Sequence, residues 1–155
     1  MLCGDDMEWS TIKKELYFED GSLRDIITDT DDMSLVKWKQ LCDFLKINYE
    51  LRVFCDGEEM EGKFDYSLIE KILLDKEHCY IATFRVCEIA FNLHFSFGSQ
   101  HLEFDFFPNE VDSLDKHMAI WDFMSQLANI LQINVKLTGE NCHNGDLLKV
   151  VPTTV

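Results

Sequence analysis

From Cys87 to Phe95, and again from Leu102 to Phe106, apolar side chains recur at every second position, a pattern that an extended chain buries on one face and a helix cannot. Cys87, Ile89, Phe91, Leu93 and Phe95 fall on one side, and Glu88, Ala90, Asn92 and His94 on the other. Residues 80–97 are therefore predicted to contain one long strand. Gly98-Ser99-Gln100 supplies a turn. Residues 101–107 return with Leu102, Phe104 and Phe106 inward and Glu103 and Asp105 outward. Pro108 has no amide hydrogen for a ladder and ends the strand. A hairpin with one apolar and one polar face needs a second layer on the apolar face only, so the polar face is expected to stay open to solvent.

That layer is expected from two segments of helical period. Leu35, Trp38, Leu41, Cys42 and Leu45 mark a helix over residues 34–46, with Thr30, Asp31 and Asp32 as N-cap candidates and favourable charge at its entrance. Leu114, His117 or Met118, Trp121, Met124, Ala128 and Leu131 mark a longer helix, capped by Ser113 and reaching about residue 132. Residues 49–55 and 134–138 read as strands, closed by Asp56-Gly57 and by Gly139. Residues 15–19 and 22–28 read as two strands joined at Asp20-Gly21, a strong two-residue turn signal. Residues 58–64 read as a charged loop, and residues 67–74 as one or two helical turns. Near the end, Leu147-Leu148 and Val150-Val151 suit either an extra strand or a packed tail.

Both halves thus run hairpin, helix, strand, with Trp38 and Trp121 at comparable places, consistent with an internal ββαβ duplication. The expected fold is α+β: an antiparallel sheet of about six strands with two helices packed on one face. A length of 155 residues is enough for a core without staples, and two prolines with no Gly/Ser-rich stretch leave no linker, so one domain is expected over 1–155. Residues 1–10 and 143–155 are expected to be more loosely ordered.

Catalytic signatures are lacking. The chain carries no G-x-S-x-G, no phosphate-binding glycine loop and no H-E-x-x-H. Six cysteines occur, none spaced C-x-x-C; Cys42, Cys55 and Cys87 read as small buried hydrophobes. The adjacent pairs His78-Cys79 and Cys142-His143 would point to opposite sides of a strand, which argues against a catalytic dyad. Glu88, His94, Glu103 and Asp105 are the best candidates for a metal site, but they read as a solvated polar face, and His117 as a core histidine. No enzyme activity, metal or cofactor is expected. The first residues lack a basic stretch followed by an apolar run, and no apolar run nears the roughly 18–20 residues that span a bilayer, so a cytoplasmic protein is expected.

Charge points to a partner. Asp and Glu number 29 against 14 Lys and Arg, a formal net of -15. A folded body this acidic repels nucleic acid and anionic membranes and attracts basic proteins. The acids gather in three places: Asp29, Asp31 and Asp32 at a helix entrance; Glu58, Glu59 and Glu61 in a loop; Glu88, Glu103 and Asp105, with His94, on the sheet face.

Residues 15–26 (ELYFEDGSLRDI), the tryptophan-bearing helix that follows and residues 135–141 (VKLTGEN) resemble small bacterial immunity proteins of contact-dependent and polymorphic toxin systems. The resemblance spans residues 9–141. It implies a protein without catalysis, a monomer or weak dimer, that binds a cognate basic toxin, such as a nucleic-acid-cleaving domain, and blocks it. The acidic groups named above would form the contact set, with Arg24 and Tyr17 beside them. The alternative on the same charge is a nucleic-acid mimic that inhibits a defence or restriction complex.

Overall fold

The computed structural model describes residues 3–29, 33–62, 64–95, 102–140 and 145–153. The chain opens with helix α1 (Cys3–Leu16) and strand β1 (Arg24–Thr28), then helix α2 (Leu35–Asn48), strands β2 (Arg52–Cys55) and β3 (Glu58–Glu59), and helix α3 (Tyr66–Leu74). Strands β4 (Tyr80–Val86), β5 (Ile89–His94) and β6 (Glu103–Phe106) follow. A 3₁₀ turn at Pro108–Glu110, helix α4 (Leu114–Leu131) and strands β7 (Val135–Gly139) and β8 (Asp146–Val150) complete it. The eight strands form one antiparallel sheet in the order β3-β2-β4-β5-β6-β1-β7-β8.

The fold is α+β as expected, and the described residues form eight strands where about six were expected and four helices where two were expected. All the helices lie toward one face of the sheet. The Phe123 ring of α4 meets Phe91, Phe104 and Phe84 at centroid distances of 5.2, 5.4 and 5.9 Å. Trp38 of α2 meets Phe95 at 5.6 Å, and Tyr17, just after α1, meets Phe106 at 6.4 Å. Such rings bury large apolar areas and prefer the tilted and edge-on arrangements found here.

The structure departs from expectation in several places, each with a physical cause. Residues 15–19 form no strand: α1 runs through Leu16, and Trp9, Ile12 and Leu16, at helical spacing, pack against the core. The expected first hairpin is therefore absent, and β1 pairs instead with β6 and β7, so all five of its residues are buried. The repeat reduces to strand–helix–strand, and its two copies differ. The β1-α2-β2 connection crosses three strands and the β6-α4-β7 connection crosses one.

Residues 80–97 are not one strand. Cys87 and Glu88 adopt positive φ (49° and 68°) in a two-residue turn that pairs Val86 with Ile89. The turn shifts the parity of burial, from Tyr80, Ala82, Phe84 and Val86 to Ile89, Phe91 and Leu93. Cys87 is accordingly exposed, not buried, and Cys55 is only half-buried, while Cys42 lies in the core as expected. In α4 the buried stripe is His117, Ile120, Phe123/Met124, Leu127/Ala128 and Leu131. Trp121 is exposed, and so has no equivalence with the buried Trp38. The N-caps are Ser34 and Ser113, each accepting a hydrogen bond from the third amide on. The expected turn at residues 98–100, with residues 96, 97 and 101 beside it, lies outside the described residues.

Candidate functional site

Of the expected sheet-face set, His94, Glu103 and Asp105 are brought together, but not as an open carboxylate surface. On the side away from the helices, Asn92 stands opposite Asp105, His94 opposite Glu103, and Asp25 opposite both Asp105 and Thr138. His94 Nε2 lies 2.6 Å from Asp105 Oδ2, and Asn92 Nδ2 donates to Asp105 Oδ1 at 2.9 Å. Asp25, Glu103 and Asp105 are buried, at 3%, 8% and 8% relative exposure. Burial works against a charged His94. The bond to Asp105 and the fields of Asp105, Glu103 and Asp25 outweigh it and hold the imidazole pKa above its ordinary value. Thr138 is fully buried on this side, and its Oγ1 has no hydrogen-bond partner among the described residues. This is an internal polar cluster in which hydrogen bonds from Asn92 and His94 join β5 to Asp105 of β6, and Asp25 of β1 adds its charge beside them. The expectation of Glu103 and Asp105 as open docking groups is corrected accordingly. Glu88 is separate from it, exposed at the tip of the β4–β5 turn.

Asp29 is committed elsewhere. Its carboxylate meets Lys136 Nζ at 2.9 Å, Lys149 Nζ at 3.4 Å and Asn134 Nδ2 at 3.2 Å. The bonds from Lys136 and Asn134 bring its pKa down to about 2. Asp31 and Asp32 lie outside the described residues. Tyr17 and Arg24, expected at the contact surface, are buried at 1% and 0%. Tyr17 Oη lies 2.7 Å from His117 Nδ1. Burial of that histidine lowers its pKa, in keeping with a neutral core residue.

Arg24 is a strut. Its Nε donates to Leu16 O (2.8 Å), Nη2 to Phe18 O (2.5 Å), and Nη1 to Leu23 O and Ser22 Oγ (3.1 Å each). The guanidinium also lies 4.3 Å over the Phe18 ring. It thereby ties the end of α1 to the start of β1.

The remaining predicted acids stand together with others that the sequence reading passed over. Within the expected loop at 58–64, of which residue 63 lies outside the described residues, Glu58 and Glu59 form a short strand. Asp56 and Gly57 take positive φ (50° and 88°) in a tight turn, and β3 returns along β2 with Cys55 opposite Glu58 and Phe54 opposite Glu59. Glu58, Glu59 and Glu61 are exposed on this edge of the sheet, Glu59 in an ion pair with Arg52. Beside the turn, the segment from α3 to β4 contributes Asp75, Glu77, His78 and Cys79. Asp56 Oδ2 meets His78 Nδ1 at 2.7 Å, and Asp56 Oδ1 accepts from the Cys79 amide at 2.9 Å. Tyr80 Oη donates to Asp75 at 2.6 Å. The Cys79 amide and then His78 hold Asp56 below the usual carboxylate range; the bond to Asp56 and then the field of Asp75 raise His78. A cleft of about 360 Å³ opens here, lined by Asp56, Asp75, Glu77, His78, Cys79 and Phe95 among others.

No helix among the described residues is long and apolar enough to cross a membrane. Comparison with protein-family models, with curated proteins and with solved structures finds no match to this chain.

Proposed function

We propose that this chain is a non-catalytic binding protein that docks its acidic β2–β3 edge onto a cationic protein and blocks it, as an immunity protein blocks a nucleic-acid-cleaving toxin. The observation that carries the reading is the concentration of charge at one end of the sheet. Residues 56–61 and 75–77 hold six carboxylates and one lysine, Lys76. The tight turn and the Asp56–His78 and Asp56–Cys79 bonds hold the two segments side by side. A cleft built to grip phosphates is cationic and matches such an array. Charge of this kind steers encounter, raising association toward about 10⁸–10⁹ M⁻¹s⁻¹ at low salt.

The natural probe is any basic, secreted effector domain encoded beside this chain's gene. Wild-type protein binds it and stops its nuclease activity. Glu58→Lys with Glu61→Lys slows association about tenfold or more at low ionic strength and flattens its salt dependence. Both side chains are exposed, so the fold tolerates the change. Unchanged rates and salt dependence in the double variant would remove this edge from the interface. Turnover of nucleic acid by the chain itself would remove the reading.

A further inference from the structure

Three different ligand chemistries converge at the β2–β3 turn. The Cys55 sulfur, a carboxylate oxygen of Asp56 and a ring nitrogen of His78 all lie within 4.8 Å of one another. Tetrahedral zinc with bonds of about 2.0–2.3 Å sets neighbouring donors roughly 3.3–3.7 Å apart, so small side-chain movements suffice to close on an ion. We propose that Cys55, Asp56 and His78 form a binding site for one zinc-class divalent ion, with its fourth position toward the adjoining cleft.

The backbone holds this arrangement before any ion arrives. Cys55 ends β2 and pairs with Tyr80 in β4. The Asp56 amide donates to Cys79 O at 2.8 Å, and Asp56 Oδ1 accepts the Cys79 amide at 2.9 Å. The positive φ of Asp56 and Gly57 fixes the turn that presents the first two ligands. The third, His78, immediately precedes that bonded pair on the neighbouring segment. Asp56 and His78 line the cleft of about 360 Å³, which gives an ion a way in and leaves room for water or a donor atom of a bound molecule.

The donor set also selects the ion. A thiolate and an imidazole suit zinc, or cobalt in its place, and are poor ligands for Mg²⁺ or Ca²⁺, which take oxygen. On binding, the Cys55 thiol proton and the proton shared between His78 and Asp56 are released to solvent, which frees the thiolate, the ring nitrogen and the carboxylate to bind the ion. Asp75 and Glu77 beside the site add negative charge that draws cations toward it. The inference stands on this geometry alone and does not depend on the identity of any protein partner.

The test uses the full, reduced and chelator-stripped chain. Zn²⁺ titration followed by calorimetry should give one ion per chain. Co²⁺ should give thiolate-to-metal charge-transfer absorption, which reports sulfur ligation directly. Cys55→Ser should abolish that absorption and weaken Zn²⁺ binding by about 100-fold or more, and His78→Gln should weaken binding comparably. Cys87→Ser, at an exposed turn away from the site, should leave both unchanged. Circular dichroism of each variant separates ligand loss from misfolding. Because Cys55 is half-buried, the milder Asp56→Asn supplies a second readout, a weaker ion with the charge-transfer band kept. Absence of Zn²⁺ binding to the wild-type chain, or binding and a cobalt band that survive in folded Cys55→Ser, would overturn the assignment.

Discussion

Replacing Arg24 by methionine separates a surface role from a structural one. The guanidinium is fully buried and donates to three backbone carbonyls, those of Leu16, Phe18 and Leu23, and to Ser22 Oγ. Methionine fills a similar volume, so the change chiefly deletes the donors. Each acceptor left dry costs about 1–3 kcal/mol, and two such carbonyls already account for a substantial loss. These acceptors are neutral, so no buried charge is left uncompensated, and the two or three dry carbonyls set the scale at about 3–5 kcal/mol. Asp20, the nearest carboxylate at 3.6 Å, is close to half exposed and adds little to that figure. The expected loss is therefore about 3–5 kcal/mol out of a total of roughly 5–15 kcal/mol.

Urea unfolding at neutral pH measures this loss as a lower midpoint with an unchanged slope. In a chain of this length the same loss lowers the melting temperature by about 6–20 °C. Arg24→Lys keeps the charge but loses the fork that reaches several oxygens at once, and should recover only part of the difference. An Arg24→Met variant within about 1 kcal/mol of wild type would refute the strut and return the residue to consideration as a binding group.

Two further outcomes follow from the polar cluster. His94 has a folded pKa above its ordinary value of about 6.5, so its protonation stabilises the fold fully below about pH 6.5, and that contribution disappears as pH rises through the raised value. Asp105→Asn should shrink this pH-dependent difference in urea midpoint relative to wild type; an identical pH profile would show that Asp105 does not hold the proton on His94. Thr138→Val removes a buried hydroxyl that lacks a partner among the described residues, and should raise stability by about 1 kcal/mol, read as a melting temperature roughly 2–4 °C higher. A loss of similar size would mean that the hydroxyl is satisfied.

What the sequence made legible was what depends on neighbours close along the chain. The helices over residues 34–46 and 113–132, the strands near 49–55 and 134–138, and the Asp56-Gly57 turn all rest on local periodicity and turn chemistry, and all are present. The misread places were those where tertiary contact overrides a local signal. Asp20-Gly21 has hairpin chemistry, yet the residues before it form a helix whose last carbonyl, that of Leu16, Arg24 captures. The Cys87-Glu88 turn uses two non-glycine residues at positive φ. Its only trace was the shift of apolar positions from even to odd numbers. The candidate site suffered most. Alternation alone placed Glu103 and Asp105 outward, and it could not reveal that the insertion of β1 beside β6 would enclose them with Asp25. The grouping of Cys55, Asp56 and His78 was hidden because it joins segments more than twenty residues apart, through the pairing of β2 with β4.

The two edges of the sheet provide an internal comparison for the proposed docking surface. Exposed edge strands invite pairing with another chain, and charge on the edge suppresses it, so acids on β3 could serve that end alone. The opposite edge meets the same requirement differently. On β8, Asp146 and Lys149 alternate in sign, and Lys136, Lys149, Asp29 and Asp146 neutralise one another through contacts of 2.9–3.4 Å. Mixed charge is thus sufficient to guard an edge in this same protein. On β3, among the described residues, Glu59 alone is met, by Arg52, and the adjoining Asp75–Glu77 segment adds further negative charge where protecting a two-residue strand requires none. The excess lies beyond what edge protection needs, and it sits on a turn whose backbone is fixed by Asp56 and Cys79. A rigid, predominantly negative array costs stability through self-repulsion, and a cationic counterpart, whether a protein cleft or an ion at Cys55, Asp56 and His78, relieves that cost on binding.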